Sequence, residues 1–442
     1  MEMSNYTSLT TAPVPRVVAR MSVSTIATML VTSIYNLADT FFVGYISTQA
    51  TAAVGIVFSV MFVLQAIGFF YGHGSGNFIS RELGARRKRQ AERMAVTGVV
   101  LSFGTGVVIM AAGLALLTPL SVALGSTPTI LPSTESYMGI VLLGAPFCTA
   151  SLTLNNQLRF QGNAAHAMLA VVAGAVLNIV LDPLLIFVAG MGVAGAACAT
   201  VAGQMGSCAL LLAMTHRGGN LRLHWRNFTP SKPFLLEILG GGTPSLLRQS
   251  LGSVATILMN VAAAAYGDAA IAAMSIVNRI TMLVMAAIIG LGQGYQPLCG
   301  FCYGAGLYGR VKEGMWFCVK VGTAFLLLCS VLGFGFTHGI IATFRNDAQV
   351  VAIGAMALRW QLVTLPLIGL FMYANMMLQT VGMTWRANLL ASARQGLFFI
   401  PAILLLPVAM GLHGVEICPA VCDVCSFLLA VPILRGALRH MH

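Results

Sequence analysis

The sequence predicts an all-α membrane protein of twelve spanning helices in two pseudo-symmetric six-helix bundles. Three observations predict it. Apolar runs long enough to cross a bilayer recur from end to end, basic residues crowd into alternate loops, and the second half of the chain repeats the first. Of 442 residues, 58% are hydrophobic and 8% are charged, against roughly 25% charged in an ordinary soluble domain. The 47 glycines and 16 prolines suit packed, kinked membrane helices.

The spans fall at 17–43, 52–78, 94–117, 134–158, 166–189 and 193–215, then at 234–265, 269–298, 315–338, 350–378, 388–410 and 414–436. Most exceed the roughly 20 residues a helix needs to cross. Barrel strands would instead alternate over about ten residues, and no such segments occur.

Loop charge sets the orientation. Arg81, Arg86, Arg87, Lys88, Arg89 and Arg93 follow span two, and Arg159 follows span four. Arg217, Arg222, Arg226 and Lys232 follow span six; Arg310 and Lys312 follow span eight; Arg386 follows span ten. Arg16 and Arg20 open the chain, Arg435 and Arg439 close it, and the opposite loops hold Arg345. The positive-inside rule places both termini and the basic loops in the cytoplasm. The expected location is the plasma (inner) membrane, multi-pass. The net charge of +12 is therefore a topology signal and implies no nucleic-acid partner. Residues 1–11 are polar and the first apolar run is too long for a signal-peptide core, so none is expected.

The chain aligns with itself when one half is laid on the other. Tyr45–Val57 resembles Tyr266–Val277, residues 72–85 fall on 292–305, and Asn155, Leu158 and Gly162 fall on Asn375, Leu378 and Gly382. Each half then has six spans starting in the cytoplasm, one of the known duplicated transporter plans. The expected domains are 1–215, a linker loop at 216–232, and 233–442.

Two acids interrupt the apolar runs of the first half, Asp39 and Asp182. An ionisable group at such depth costs roughly 2.5–3.5 kcal/mol on insertion scales, so it marks a use for charge. At ~1.5 Å per residue, Asp39 lies about 33 Å from Val17, Asp182 about 24 Å from His166, and Thr200 about 10 Å from Val193. All three reach the outer half of the first bundle. Tyr35 and Asn178 each stand one turn from an acid on the same helix face. The set Tyr35, Asp39, Asn178, Asp182 and Thr200 offers only oxygen donors to a hard cation, or carboxylates to shared protons. The alternative is that these are polar packing residues satisfied by neighbours. The second half lacks the acids: Asp182 falls on Ala402, and Asn178 on Phe398.

The second half is polar in another way. Gln249, Asn260, Asn278, Gln293, Gln296 and Asn375 are candidates to line a substrate cavity, or else ties between helices. Arg248 and Arg279 are cations within spans whose expected partners are carbonyls or a distant acid; Asp423 lies in the last span. Cys299/Cys302 and Cys422/Cys425 have C-x-x-C spacing but sit in apolar runs, and read as small core residues rather than redox or zinc ligands. His73 and His413 stand alone near span ends.

Tyr35-Asn36-Leu37-Ala38-Asp39-Thr40-Phe41-Phe42-Val43-Gly44 resembles the first-helix motif of the multidrug and toxic compound extrusion (MATE) family. So do Leu158-Arg159 with Gly162-Asn163, Leu177-Asn178 with Leu181-Asp182-Pro183, and Gly290 to Gln293 through Gln296-Pro297, Gly300 and Tyr303-Gly304. The resemblance spans all twelve helices and is nearest to MepA-like or DinF-like bacterial members. It implies a monomeric antiporter that exports cationic, aromatic drugs by alternating access. It also implies an H⁺ or Na⁺ site at Tyr35, Asp39, Asn178, Asp182 and Thr200. If Na⁺ is the ion, Asp39, Asn178, Asp182 and Thr200 are its ligands. No cofactor is expected beyond the transported ion. The sequence departs from the family at Ser24, where members often have a proline that bends the first helix. A lipid or oligosaccharide flippase of the same superfamily is the nearest alternative. No catalytic motif marks an enzyme.

Overall fold

The computed structural model describes residues 2–216 and 221–441; Arg217 lies outside the described residues. Among them every regular element is helical. The helices are α1 (Glu2–Thr11), α2 (Val14–Gly44), α3 (Thr48–Gly84), α4 (Lys88–Ala115), α5 (Leu117–Ala123), α6 (Leu131–Leu143), α7 (Ala145–Phe160), α8 (Ala164–Pro183) and α9 (Val193–Thr215). There follow α10 (Lys232–Ala264), α11 (Asp268–Gly304), α12 (Tyr308–Gly335), α13 (Thr337–Phe344), α14 (Ala348–Val381), α15 (Thr384–Ser392), α16 (Phe399–Met410) and α17 (Leu412–Arg439). A π-helical turn extends α8 over Leu184–Val188, and another joins α15 to α16 over Ala393–Leu397.

Each of the twelve predicted spans coincides with one of these helices or a continuous pair. Ten are long and apolar enough to cross a membrane, and α6 with α7 makes an eleventh, bent by 49°. The remaining one, α10, is long enough but less apolar, because Arg248, Gln249 and Asn260 interrupt it. The bend between α6 and α7 departs from the single straight span expected at 134–158. It falls at Gly144, with Pro146 following at the start of α7. Its repeat mate α14 carries the equivalent Pro366 but stays one helix, and has Thr364 where Gly144 stands. Proline removes one hydrogen bond; the added glycine frees the backbone to bend.

The helices form two packed units: residues 23–246 with α1, and residues 247–441 with 13–22. Both α2 and α10 therefore contribute to both units. The repeat is visible at atomic level. Asn155 Nδ2 donates to Ala167 O at 3.0 Å, and its repeat mate Asn375 donates to Ala387 O at 2.7 Å. Gly162 and Gly382 end α7 and α14 at φ 88° and 86°, a left-handed geometry that favours glycine. α2 runs unbroken through Ser24, a position where the sequence left open whether the helix bends.

Within the first unit the base of α10 packs backbone to backbone on α3. A Cβ on Gly74 would lie 2.4 Å from Ile238 O, and Arg81 Nη2 donates to Glu237 Oε2 at 2.6 Å beside this contact. In the second unit its repeat mate Gly294 takes Ser22 in the same way. Gly74→Ala must push α10 away, and overpacking of this kind costs roughly 1–3 kcal/mol. The expected result is a lower thermal midpoint in detergent; an unchanged midpoint would show that the contact tolerates a methyl group.

Candidate functional site

Helices of the first unit converge on a buried polar cluster. α2 supplies Asp39, α8 supplies Asn178 and Asp182, α9 supplies Thr200, and all four side chains are buried. Asn178 Nδ2 donates to Thr200 Oγ1 at 3.4 Å. Asp182 is fully enclosed at the end of α8, where Pro183 and the π turn interrupt the regular ladder. Asp39 and Asp182 lie within electrostatic reach of each other, and Tyr35 within reach of both. The structure thus brings together all five residues of the predicted set.

It adds a sixth. Tyr137, fully buried on α6, donates its hydroxyl to Asp39 Oδ2 at 3.4 Å and also interacts with Thr200. The depth argument reaches it, because Tyr137 opens the fourth predicted span at its outer end. An aromatic at a span end reads first as an interface residue, so composition alone does not single it out.

The decisive feature is what these residues lack. Asp39 Oδ1, both carboxylate oxygens of Asp182 and Asn178 Oδ1 are buried without a hydrogen-bond partner. Unsatisfied buried acceptors are costly, and a buried charge is costlier unless paired. Packing residues would have found partners in each other. Four orphan oxygens beside two hydroxyls instead form a set that a hard cation or protons can satisfy. Among the described residues no three His, Cys, Asp or Glu side chains cluster to hold a metal ion, so the amide and hydroxyl oxygens are integral to any cation site here.

The candidates of the second unit scatter. Gln249 is half-buried, Asn260 and Asn278 are exposed, and Gln293 is buried. Gln296 is fully buried with neither end of its amide bonded. Asn375 has both ends engaged, since Arg248 Nη1 donates to its Oδ1 at 2.6 Å. Arg248 thus finds the carbonyl partner expected of it, whereas Arg279 is exposed and has no partner among the described residues. Asp423 is also committed: Arg394 Nε, in the second π turn, donates to its Oδ1 at 2.6 Å and Thr364 Oγ1 to its Oδ2 at 3.1 Å. All ten cysteines are free, with Cys299, Cys302 and Cys422 buried. His73 bridges Phe69 O and Arg159, and His413 pairs with Glu416, so both are tied into the helix framework.

The family model MatE matches this chain twice, over residues 25–184 and 244–404. The chain belongs to the MatE family. The two matched stretches are themselves offset by about one repeat and each contains the second to fourth helices of its half. The multidrug export protein MepA of Staphylococcus aureus is 25% identical over 433 residues, covering 97% of this chain and 95% of that protein. The protein of the same name from Staphylococcus saprophyticus is 26% identical over 415 residues, covering 92% and 91%. Among solved structures, a MATE protein in the bent conformation superposes with a TM-score of 0.93 at 27% identity, covering 99% of this chain and 98% of that one. An outward-facing multidrug resistance MATE family transporter of the MOP superfamily gives 0.91 at 27% identity, covering 98% of each. This MatE chain is accordingly a multi-pass membrane protein of a transporter family, and its orphan oxygens are to be read in that setting.

Proposed function

We propose that this MatE protein exports small organic molecules, cationic and aromatic ones among them, in exchange for H⁺ or Na⁺ by alternating access. The observation that carries the reading is the set of orphaned oxygens at Asp39, Asn178 and Asp182. A proton or Na⁺ from outside satisfies them, with Thr200 and Tyr137 completing the shell and Tyr35 alongside. If Na⁺ is the ion, Asp39, Asn178, Asp182 and Thr200 bind it. Coupling requires unequal ion affinity in the two access states. The names of the relatives support drug export, and the basic loops support cytoplasmic termini in the inner membrane. The whole site is built from one chain, which supports a monomer as the working unit, with no cofactor beyond the ion it carries.

The test is transport in proteoliposomes that enclose a fluorescent organic cation, under imposed Na⁺ or pH gradients. Dye movement is expected to follow one gradient and to stop when an ionophore collapses it. Movement indifferent to both gradients would sink the antiport reading.

A further inference from the structure

The outer half of α11 exposes one face while its inner half is enclosed: residues 290–302 are all buried. The exposed face carries Asn278, Arg279, Met282 and Leu283. Arg279 lies about 16 Å along the helix from Asp268 at ~1.5 Å per residue, well inside an apolar span. Among the described residues it has no hydrogen-bond or ionic partner.

An unpaired guanidinium at this depth does not face lipid, where it would be costly; such residues turn to the protein interior or to water. The repeat supports the same orientation independently. The equivalent stretch of α3 has the same exposure pattern, with Ala53, Val54 and Val57 buried and Ser59, Phe62 and Val63 exposed. Ser59 is the repeat mate of Arg279. Both copies therefore expose a polar residue at this position, Ser59 in the first and Arg279, with Asn278 beside it, in the second. The first copy is neutral there and the second is charged.

Among the described residues no acid compensates that charge. Asp423 and Glu416, the buried acids of the second unit, already hold other partners: Arg394 with Thr364, and His413. Arg279 thus presents all five of its N–H donors, in the planar fork that matches a carboxylate.

We propose that Arg279 is a substrate-specificity residue that binds a carboxylate on the transported molecule, so that the chain takes zwitterions as well as simple cations. Asn278 beside it supplies a neutral donor, and Met282 and Leu283 give apolar contact for an aromatic body. The proposal rests on the export reading but is tested apart from it.

The probes are a rhodamine with a free carboxylate and its ethyl ester, which share one cationic chromophore and differ in the anion. Binding to the detergent-purified protein is read by fluorescence anisotropy, and export in the gradient assay. The unmodified protein is expected to bind both dyes. Arg279→Gln is expected to weaken the acid roughly tenfold, the low end for a charge-assisted hydrogen bond, and to leave the ester unchanged. Arg279→Lys, which keeps the charge without the fork, is expected to fall between them. Equal losses for both dyes, no loss for either, or failure of the unmodified protein to bind the acid would each overturn the proposal. Export of the ester reports on the export reading alone, so the two fail separately.

Discussion

Asp182→Asn is expected to abolish gradient-driven export without damaging the fold. Neither oxygen of Asp182 holds a protein partner, so neutralising it breaks no hydrogen bond. It also relieves an enclosed carboxylate of its desolvation cost. The thermal midpoint should hold or rise while the ion dependence disappears. Typical coupling free energies of roughly 1–3 kcal/mol correspond to about 5–150-fold, and accumulation against the gradient should fall within that range or below detection. Asp39→Asn should lose coupling as well, but it weakens the bond from Tyr137, so its midpoint should gain less. Normal gradient-driven export by both variants would remove the first unit from the coupling mechanism.

Asp423→Ala is expected to be among the most destabilising single changes in the second unit. Among the described residues it strips Arg394 of its one carboxylate partner and Thr364 of one of its two acceptors, leaving Gln361 O, and Asp423 itself is almost wholly buried. Removing one partner of a buried pair costs roughly 3–5 kcal/mol, whereas replacing both by apolar residues is often neutral. The double variant Arg394→Met, Asp423→Leu should therefore recover most of the lost thermal midpoint. The equivalent positions of the first half support this expectation. They are Gly174 and Gly203, where α8 and α9 meet backbone to backbone with no charge at all. A single variant as stable as the parent, or a double variant no better than the single, would contradict the account.

The two networks differ in how plainly the sequence announces them. Asp39 and Asp182 stand out because a charge in an apolar run is rare and expensive. Tyr35 and Asn178 then follow from helical spacing, since one turn places them on the same face. Tyr137 does not follow, because it lies far from Asp39 in the chain and nothing local links them. Arg394 and Asp423 stand in successive spans, and neither spacing nor composition pairs an arginine in one span with an acid in the next. The π turn that carries Arg394 has no proline before it as a sign, unlike the one after Pro183.

The repeat behaves in the same divided way. Asn155 and Asn375 are legible as mates, and their equivalent bonds to Ala167 and Ala387 follow from one shared local geometry. The bend at Gly144 is only half legible, because both halves carry the proline, and the glycine that accompanies it in the first half permits a bend without requiring one. Arg279 is visible as a cation within a span, but its lack of any partner is not.

By itself, then, the amino-acid order determined where the spanning helices run, the duplication, and how far along its helix each acid stands. These depend on runs of apolar residues and on a fixed rise per residue, which are local properties. Only the tertiary structure decided which polar atoms are paired and which are orphaned. That is set by contacts between helices distant in the chain, and the same residue type is a tether at Asn375 and an open ligand at Asn178.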